Sequence, residues 1–205
     1  MKLKKQEILI ALDRDGTIIY DTGYFGKNDN WKQELKLYDG VVDMIRELNK
    51  FCKVVVTTNQ IGVAYGYFTT DRVEEINSFI DKKLKKQSAK IDAWYYCPYV
   101  EKTWAEKRGF SLESPWVLDS FPSCRKPSIG MLESAAENFG KSLESFKIFV
   151  IGDSLDDVNM ALNAGGTPIF FNNGKNLKLI QKLPKNAPIV KDFLEVINIV
   201  KENVR

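Results

Sequence analysis

A run of five apolar residues, Ile8-Leu9-Ile10-Ala11-Leu12, passes without a break into Asp13-Arg14-Asp15-Gly16-Thr17. Of all the features in the chain, this one leaves the fewest options. A strand that is apolar on both faces has to be covered on both faces and reads as fully buried. Its carboxyl end then carries two acids, two residues apart, that burial alone does not require. In open α/β sheets, that end of the strands is where ligands bind.

The rest of the sequence supplies the partners such a strand needs. Val41, Val42, Ile45 and Leu48 recur at helical spacing. Residues 53–58, "KVVVTT", are β-branched and read as a second strand. Val73, Ile76, Ile80 and Leu84 mark another helix, with Thr70 or Asp71 as its cap. Residues 91–97, "IDAWYYC", read as a third strand. Leu132, Ala135, Ala136 and Phe139 share a helical face, with Gly140 as the stop. "KIFVI" (147–151) and "PIFF" (168–171) are strands, 158–164 is a short helix, and "FLEVINIV" is a closing helix. Repeated β-α order predicts an α/β fold: a Rossmann-like, mostly parallel sheet with helices on both faces. One such domain accounts for residues 1–205, and neither 20–39 nor 69–97 has room for a separate cap domain. Residues 98–124 are long for a bare connection and predict a lid-like functional loop, with Trp104, Phe110, Trp116 and Phe121 either pinning it or lining the substrate mouth.

Composition narrows the chemistry. Histidine is absent, which excludes Ser-His-Asp triads, Cys-His pairs and phosphohistidine chemistry. Catalysis must use carboxylates, Lys, hydroxyls or a metal held by oxygen. The net charge of +3 is mild and argues against a nucleic-acid partner. The run Lys82-Lys83-Leu84-Lys85-Lys86 reads as a solvated helix end, and Lys2, Lys4 and Lys5 as a frayed terminus. Three irregularly spaced cysteines predict reduced thiols in an intracellular, cytoplasmic setting. Neither a signal peptide nor a membrane span is expected, so no membrane partner is.

Polar clusters follow the apolar strands: Asp13 and Asp15, then Thr58-Asn59-Gln60, then Asp153, Asp156 and Asp157 after Gly152. Cys124-Arg125-Lys126-Pro127 opens the helix after the long loop. Carboxylates from two strand ends repel unless a cation lies between them. An all-oxygen acidic site suits Mg²⁺ and a substrate phosphate. Lys126 and Arg125 add positive charge for that phosphate, and Thr58 adds a hydroxyl. These are the parts of a phosphoryl-transfer site. On an extended segment Asp13 and Asp15 would point the same way and Arg14 the other. Asp13 could then attack phosphorus while Asp15 protonates the leaving oxygen and later deprotonates water. A structural pair of turn carboxylates is the plainer reading, but no structural need calls for both. Asp156 reads simply as an acid at a helix N-terminus, and for Arg125 a surface salt bridge competes.

"DRDGT", "TNQ", "RKP" and "GDSLDD", in that order, resemble the four motifs of the haloacid dehalogenase superfamily. With "VVVTTNQIGVAYGYFT", "YYCP" and "CRKPSIGML", residues 8–173 resemble its histidinol-phosphatase and heptose-bisphosphate-phosphatase branch. The resemblance implies roles at matching positions. Asp13 would be nucleophile and Mg²⁺ ligand, and Asp15 general acid/base with its backbone carbonyl on the metal. Thr58 and Asn59 would hold the transferring phosphoryl group, and Lys126 would stabilise charge on it. Asp153 would be the third protein ligand of Mg²⁺, Asp157 would support Lys126 or a metal-bound water, and Arg125 would contact the rest of the substrate. Relatives in that branch carry a Cys-x-His and Cys-x-Cys zinc loop. Here those positions read Cys97-Pro98-Tyr99 and Pro122-Ser123-Cys124, two ligands short of four, so no structural zinc is expected. Cys97 and Cys124 would remain close, as free thiols or as a reversible disulfide.

The function so implied is Mg²⁺-dependent hydrolysis of a small phosphate ester, such as a heptose phosphate or bisphosphate, through an aspartyl-phosphate, by a monomer or small homo-oligomer. Histidinol phosphate is one alternative. A polynucleotide 3′-phosphatase is another, supported by Lys102, Lys107, Arg108 and the loop aromatics and opposed by the low net charge. A non-catalytic phosphate-ligand-binding regulatory protein is a third, opposed by the intact set of acids and lysine.

Overall fold

The computed structural model describes residues 6–175 and 177–203. Lys2, Lys4 and Lys5 lie outside the described residues. In chain order the elements are β1 (Glu7–Leu12), α1 (Trp31–Glu34), α2 (Val41–Leu48), β2 (Lys53–Asn59), α3 (Thr70–Lys85), β3 (Ala93–Cys97), β4 (Val100–Glu101), α4 (Lys102–Lys107), β5 (Val117–Leu118), α5 (Gly130–Asn138), β6 (Phe146–Gly152), α6 (Leu155–Asn163), β7 (Thr167–Phe171), α7 (Leu177–Ile180), β8 (Ile189–Val190) and α8 (Phe193–Asn203).

The main sheet has the order β3-β2-β1-β6-β7-β8, and every pair in it is parallel. β1 is central, which explains its unbroken apolar run. Ile8, Ile10 and Leu12 face one core, with side chains from α2, α3 and α8. Leu9 and Ala11 face the other, with Leu132 and Ala135 of α5 and Met160 and Ala161 of α6. β2 and β6 divide the same way: Val54 and Val56 against Val55, Phe149 and Ile151 against Ile148 and Val150. The period-2 rule holds, but with both faces buried it leaves no polar alternation to read. Strand order reverses at β1, so the crevice between β1 and β6 is the switch point, where such sheets bind ligands.

Several boundaries differ from the sequence reading. The cap of α3 is Thr69, whose side chain accepts from the Arg72 amide, one residue before the expected Thr70 or Asp71. β3 starts at Ala93 rather than at residue 91. α6 starts at Leu155, three residues early, because Ser154 and Asp157 form a reciprocal capping box.

Residues 98–124 are more than a loop. They hold α4 and the two-stranded β4-β5 ladder, and Val100 and Ala105 form a separate small core with Ala64. Trp104, Phe110 and Trp116 pack against that core, while Phe121 is exposed. Tyr65, from the loop after β2, stacks on Phe110 with ring centroids 3.6 Å apart. At the base of the excursion Cys97 and Cys124 are joined as a disulfide, so the expectation of reduced thiols fits only the buried Cys52. The reason is topological. Cys97 pairs with Asn59 across β2 and β3, and the Asn59 side chain binds the backbone of Lys126, two residues beyond Cys124. Among the described residues no helix is long and apolar enough to cross a membrane.

Candidate active site

The register of the sheet decides what meets at its carboxyl edge. Leu12 lies opposite both Val56 and Ile151, and the Asp13 amide donates to the Ile151 carbonyl at 2.9 Å. Asp13 is thereby fixed one step beyond the strand. Thr58 and Asn59 end β2, and Asp153 follows Gly152 at the end of β6. Two glycines let these groups crowd together. A Cβ at Gly16, which has φ +86°, would strike the Asp153 carboxylate, and one at Gly152 would strike that of Asp157.

Lys126 sits at the centre, 2% exposed. Its Nζ lies 2.9 Å from Asp13 Oδ1, 2.6 Å from Asp157 Oδ1 and 3.0 Å from the Thr57 carbonyl. Burial alone would lower the ammonium's pKa, but the two carboxylates outweigh it and hold the pKa above its ordinary value. Asn59 fixes the backbone here: its Nδ2 donates to the Lys126 carbonyl and its Oδ1 accepts from the Lys126 amide. The Asn59 side chain therefore grips Lys126, and Asn59 also lines the cavity beside Asp13 and Thr58. Asp157 accepts from Lys126 through one oxygen and from the Ser154 amide and hydroxyl through the other.

Asp13, 8% exposed, also accepts from the Arg14 amide at 2.7 Å. Burial pushes its carboxyl well above the usual range. Asp157, Asp153 and Asp15 add to that shift and Lys126 opposes it. Asp153 is raised to about 6 by burial and by Asp157, while an Asn173 hydrogen bond and Lys126 hold it down. Asn173 Nδ2 reaches Asp153 Oδ2 at 2.8 Å and the Gly16 carbonyl at 2.9 Å. Oxygens of Asp13, Asp153 and Asp157 lie within 4.8 Å of one another. Three clustered carboxylates, two of them on the Lys126 ammonium, offer hard oxygen donors that fit Mg²⁺.

Asp15 departs from the simple strand picture. The chain stops being extended after Leu12: the Arg14 carbonyl accepts from the amides of both Ile18 and Ile19, closing a turn. Asp13 faces Lys126, while Arg14 leaves on the other side, toward Asn77 of α3. Its guanidinium curls onto Asp15, with Nε 3.1 Å from Oδ2 and Nη2 3.2 Å from Oδ1. Gln60 Nε2 donates to Asp15 Oδ2 at 2.6 Å and to the Thr58 hydroxyl at 2.9 Å. Asp15 lines two adjoining cavities. One, of about 260 Å³, is also bounded by Asp13, Thr58, Arg125, Lys126 and Asp156. The other, of about 210 Å³, runs out past Asp21, Tyr24, Gln60 and Phe68.

Arg125 forms no ion pair among the described residues, so the salt-bridge reading is set aside. Its Nη1 is buried without a hydrogen-bond partner, and its guanidinium carbon lies 5.7 Å from the Trp104 ring centroid. Burial lowers its pKa from the ordinary value, with Asp156 opposing. The Arg14 fork, the Gln60 donor, the Ser154 bonds to Asp157 and the Asn173 clamp are contacts that the sequence pattern does not point to. Gln60 at least stood beside Thr58 and Asn59 at a strand end.

Residues 123–196 match the HAD-hydrolase-like family. The chain is 37% identical over 168 residues to the D-glycero-beta-D-manno-heptose-1,7-bisphosphate 7-phosphatase of Escherichia coli K12, covering 81% of this chain and 80% of that protein. It is 30% identical over 190 residues to the protein of the same name in Pseudomonas putida KT2440, covering 92% and 96%. Among solved structures, the D,D-heptose 1,7-bisphosphate phosphatase of B. bronchiseptica, complexed with magnesium and phosphate, superposes with a TM-score of 0.75 at 28% identity, covering 96% of this chain and 99% of that one.

Proposed function

The chain belongs to the haloacid dehalogenase superfamily, in its heptose-bisphosphate-phosphatase-like branch, and on that footing we propose that it removes one phosphate from a phosphorylated heptose, a 1,7-bisphosphate above all. It is a phosphoric monoester hydrolase. The observation that carries the mechanism is Asp13: its carboxylate lies 2.9 Å from the buried Lys126 ammonium, in the wall of a cavity that Asp15 also lines.

In this reading an Asp13 oxygen attacks phosphorus, forming an aspartyl-phosphate. Lys126 opposes the burial that favours the protonated Asp13 carboxyl and offsets charge on the phosphoryl group, and the Thr58 hydroxyl orients it. Asp15 gives its proton to the departing sugar oxygen, then takes one from the water that hydrolyses the intermediate. Asp13 and Asp153, with the Asp15 main-chain carbonyl, would hold Mg²⁺, since both Asp157 oxygens are already engaged. When bound, the ion supplies positive charge to the phosphoryl oxygens. Arg125 would contact the remainder of the substrate. The two cavities, near the lower end of the size range for small-molecule sites, support a metabolite.

Phosphate release from heptose and hexose phosphates, histidinol phosphate, nucleotides and a 3′-phosphorylated oligonucleotide, with Mg²⁺ or chelator, tests the reading. A heptose bisphosphate should dominate, and Asp13→Asn should lower its turnover by ~10⁴-fold or more with the fold intact. Wild-type turnover by Asp13→Asn would overturn the mechanism.

A further inference from the structure

Arg14 is the largest charged side chain buried without a part in the chemistry above. It is 0% exposed, and a guanidinium cannot shed its charge, so each buried donor requires a partner. Nε and Nη2 form a fork on the Asp15 carboxylate, with a closest approach of 2.9 Å. Nη1 donates to Asn77 Oδ1 at 2.9 Å, and Asn77, itself buried, projects from α3. A chain of contacts thus runs from the middle of a helix to the carboxylate next to the cavity. Gln60 grips the same carboxylate from the β2 end. The Asp15 side chain is 20% exposed, and that remaining edge opens toward both cavities.

We propose that Arg14, clamped by Asn77, is a positioning residue that fixes the plane of the Asp15 carboxyl for proton transfer to the leaving oxygen. The proposal rests on the phosphatase reading and adds a task to it. A planar two-point fork sets orientation, which a point charge such as Lys cannot do. In the step it serves, the Asp13–phosphorus bond forms and the bond from phosphorus to the sugar oxygen breaks. The Asp15 proton moves to that oxygen. Water then forms the new phosphorus–oxygen bond, returns a proton to Asp15 and frees Asp13 with release of phosphate.

The leaving group provides the discriminating measurement. A sugar oxygen needs the proton to depart, whereas p-nitrophenolate does not. Arg14→Lys and Arg14→Met should therefore slow sugar-phosphate turnover by ~10²-fold, within the range of a positioned acid, and leave the first-turnover burst of nitrophenolate within about threefold of wild type. Should the Arg14 variants fail to fold, Asn77→Leu loosens the clamp from outside the site. It should show the same selectivity, with about a tenfold loss on the sugar phosphate. Equal losses on both substrates in folded protein would make Arg14 a structural tie and overturn the proposal, as would unchanged sugar-phosphate turnover in both Arg14→Lys and Asn77→Leu. A fully active Asp13→Asn enzyme would instead sink the phosphatase reading, independently of Arg14.

Discussion

Asp13 shares its cation with a second carboxylate, whereas Asp15, two residues on, has a guanidinium to itself. The contrast can be traced atom by atom. Lys126 Nζ stands between Asp13 and Asp157, 2.9 and 2.6 Å away. Arg14 turns its whole fork onto Asp15 and ties its remaining side to a neutral amide. A shared ammonium is a charge reservoir: when one carboxylate becomes an acyl phosphate, the other still holds the cation in place. A private fork is a jig, fixing direction more than charge. A nucleophile needs the first arrangement and a proton carrier the second.

Among changes to the groups around the two acids, removing the shared cation should have the largest effect. Lys126→Met leaves Asp13 and Asp157 buried side by side, a change of the kind that costs roughly 3–5 kcal/mol. Turnover should fall by ~10²–10³-fold, as for the loss of one donor to a developing charge. Adding Asp157→Leu to Lys126→Met should restore much of the melting temperature and none of the activity. If the double variant melts no higher than the single one, Asp157 is not the carboxylate that Lys126 balances.

A smaller effect separates the metal side of the site from Asp15. Asp153 is raised to about 6 from an ordinary 3.8, first by burial and then by Asp157. A carboxyl raised by folding favours the folded state while protonated. Its contribution is complete below the ordinary value and disappears as pH rises through about 6. Mg²⁺ reverses this because it requires the carboxylate and displaces the proton. The rise in melting temperature on adding Mg²⁺ should therefore be larger at about pH 7.5 than at about pH 5, with apparent affinity falling up to tenfold per pH unit in acid. Asp153→Asn should weaken that pH dependence, leaving the part that Asp13 contributes. Equal metal shifts at both pH values would take Asp153 out of the metal site.

The sequence predicts the shared arrangement better than the private one, for a physical reason. Asp13, Thr58 and Asp153 stand at the ends of apolar runs, and a parallel sheet brings strand ends together whatever the loops do. Lys126 was visible as a cation in a basic cluster. The Arg14 fork on Asp15 is not legible because the chain turns here, with the Arg14 carbonyl accepting from Ile18 and Ile19, and strand alternation does not bring sequence neighbours together. Asn173 and Asn77 are neutral amides whose partners lie 20 and 63 residues away, a separation that no local pattern encodes. The segment 98–124 read as a loop because a six-residue helix and two-residue strands are too short to show a period. Its fold rests instead on stacked rings and the Cys97–Cys124 link.

The mildest test lies at the far end of the shared arrangement. Asp157 does two tasks at once: it holds Lys126 and closes the capping box of α6 with Ser154. Ser154→Ala removes the box's hydroxyl but leaves the Lys126–Asp157 pair and the Ser154 amide's bond to Asp157 available. The loss should be that of an N-cap, about 1 kcal/mol. In a domain of this size that lowers the melting temperature by roughly 2–4 °C. Turnover should stay within about threefold, because Asp13 and Thr57 also grip Lys126 and the pair needs no help from the helix end. A tenfold loss of turnover at the same modest cost in stability would mean that the cap steers Lys126. The reservoir would then be as finely aimed as the jig, and the contrast between the two acids would lie only in how many partners each one has.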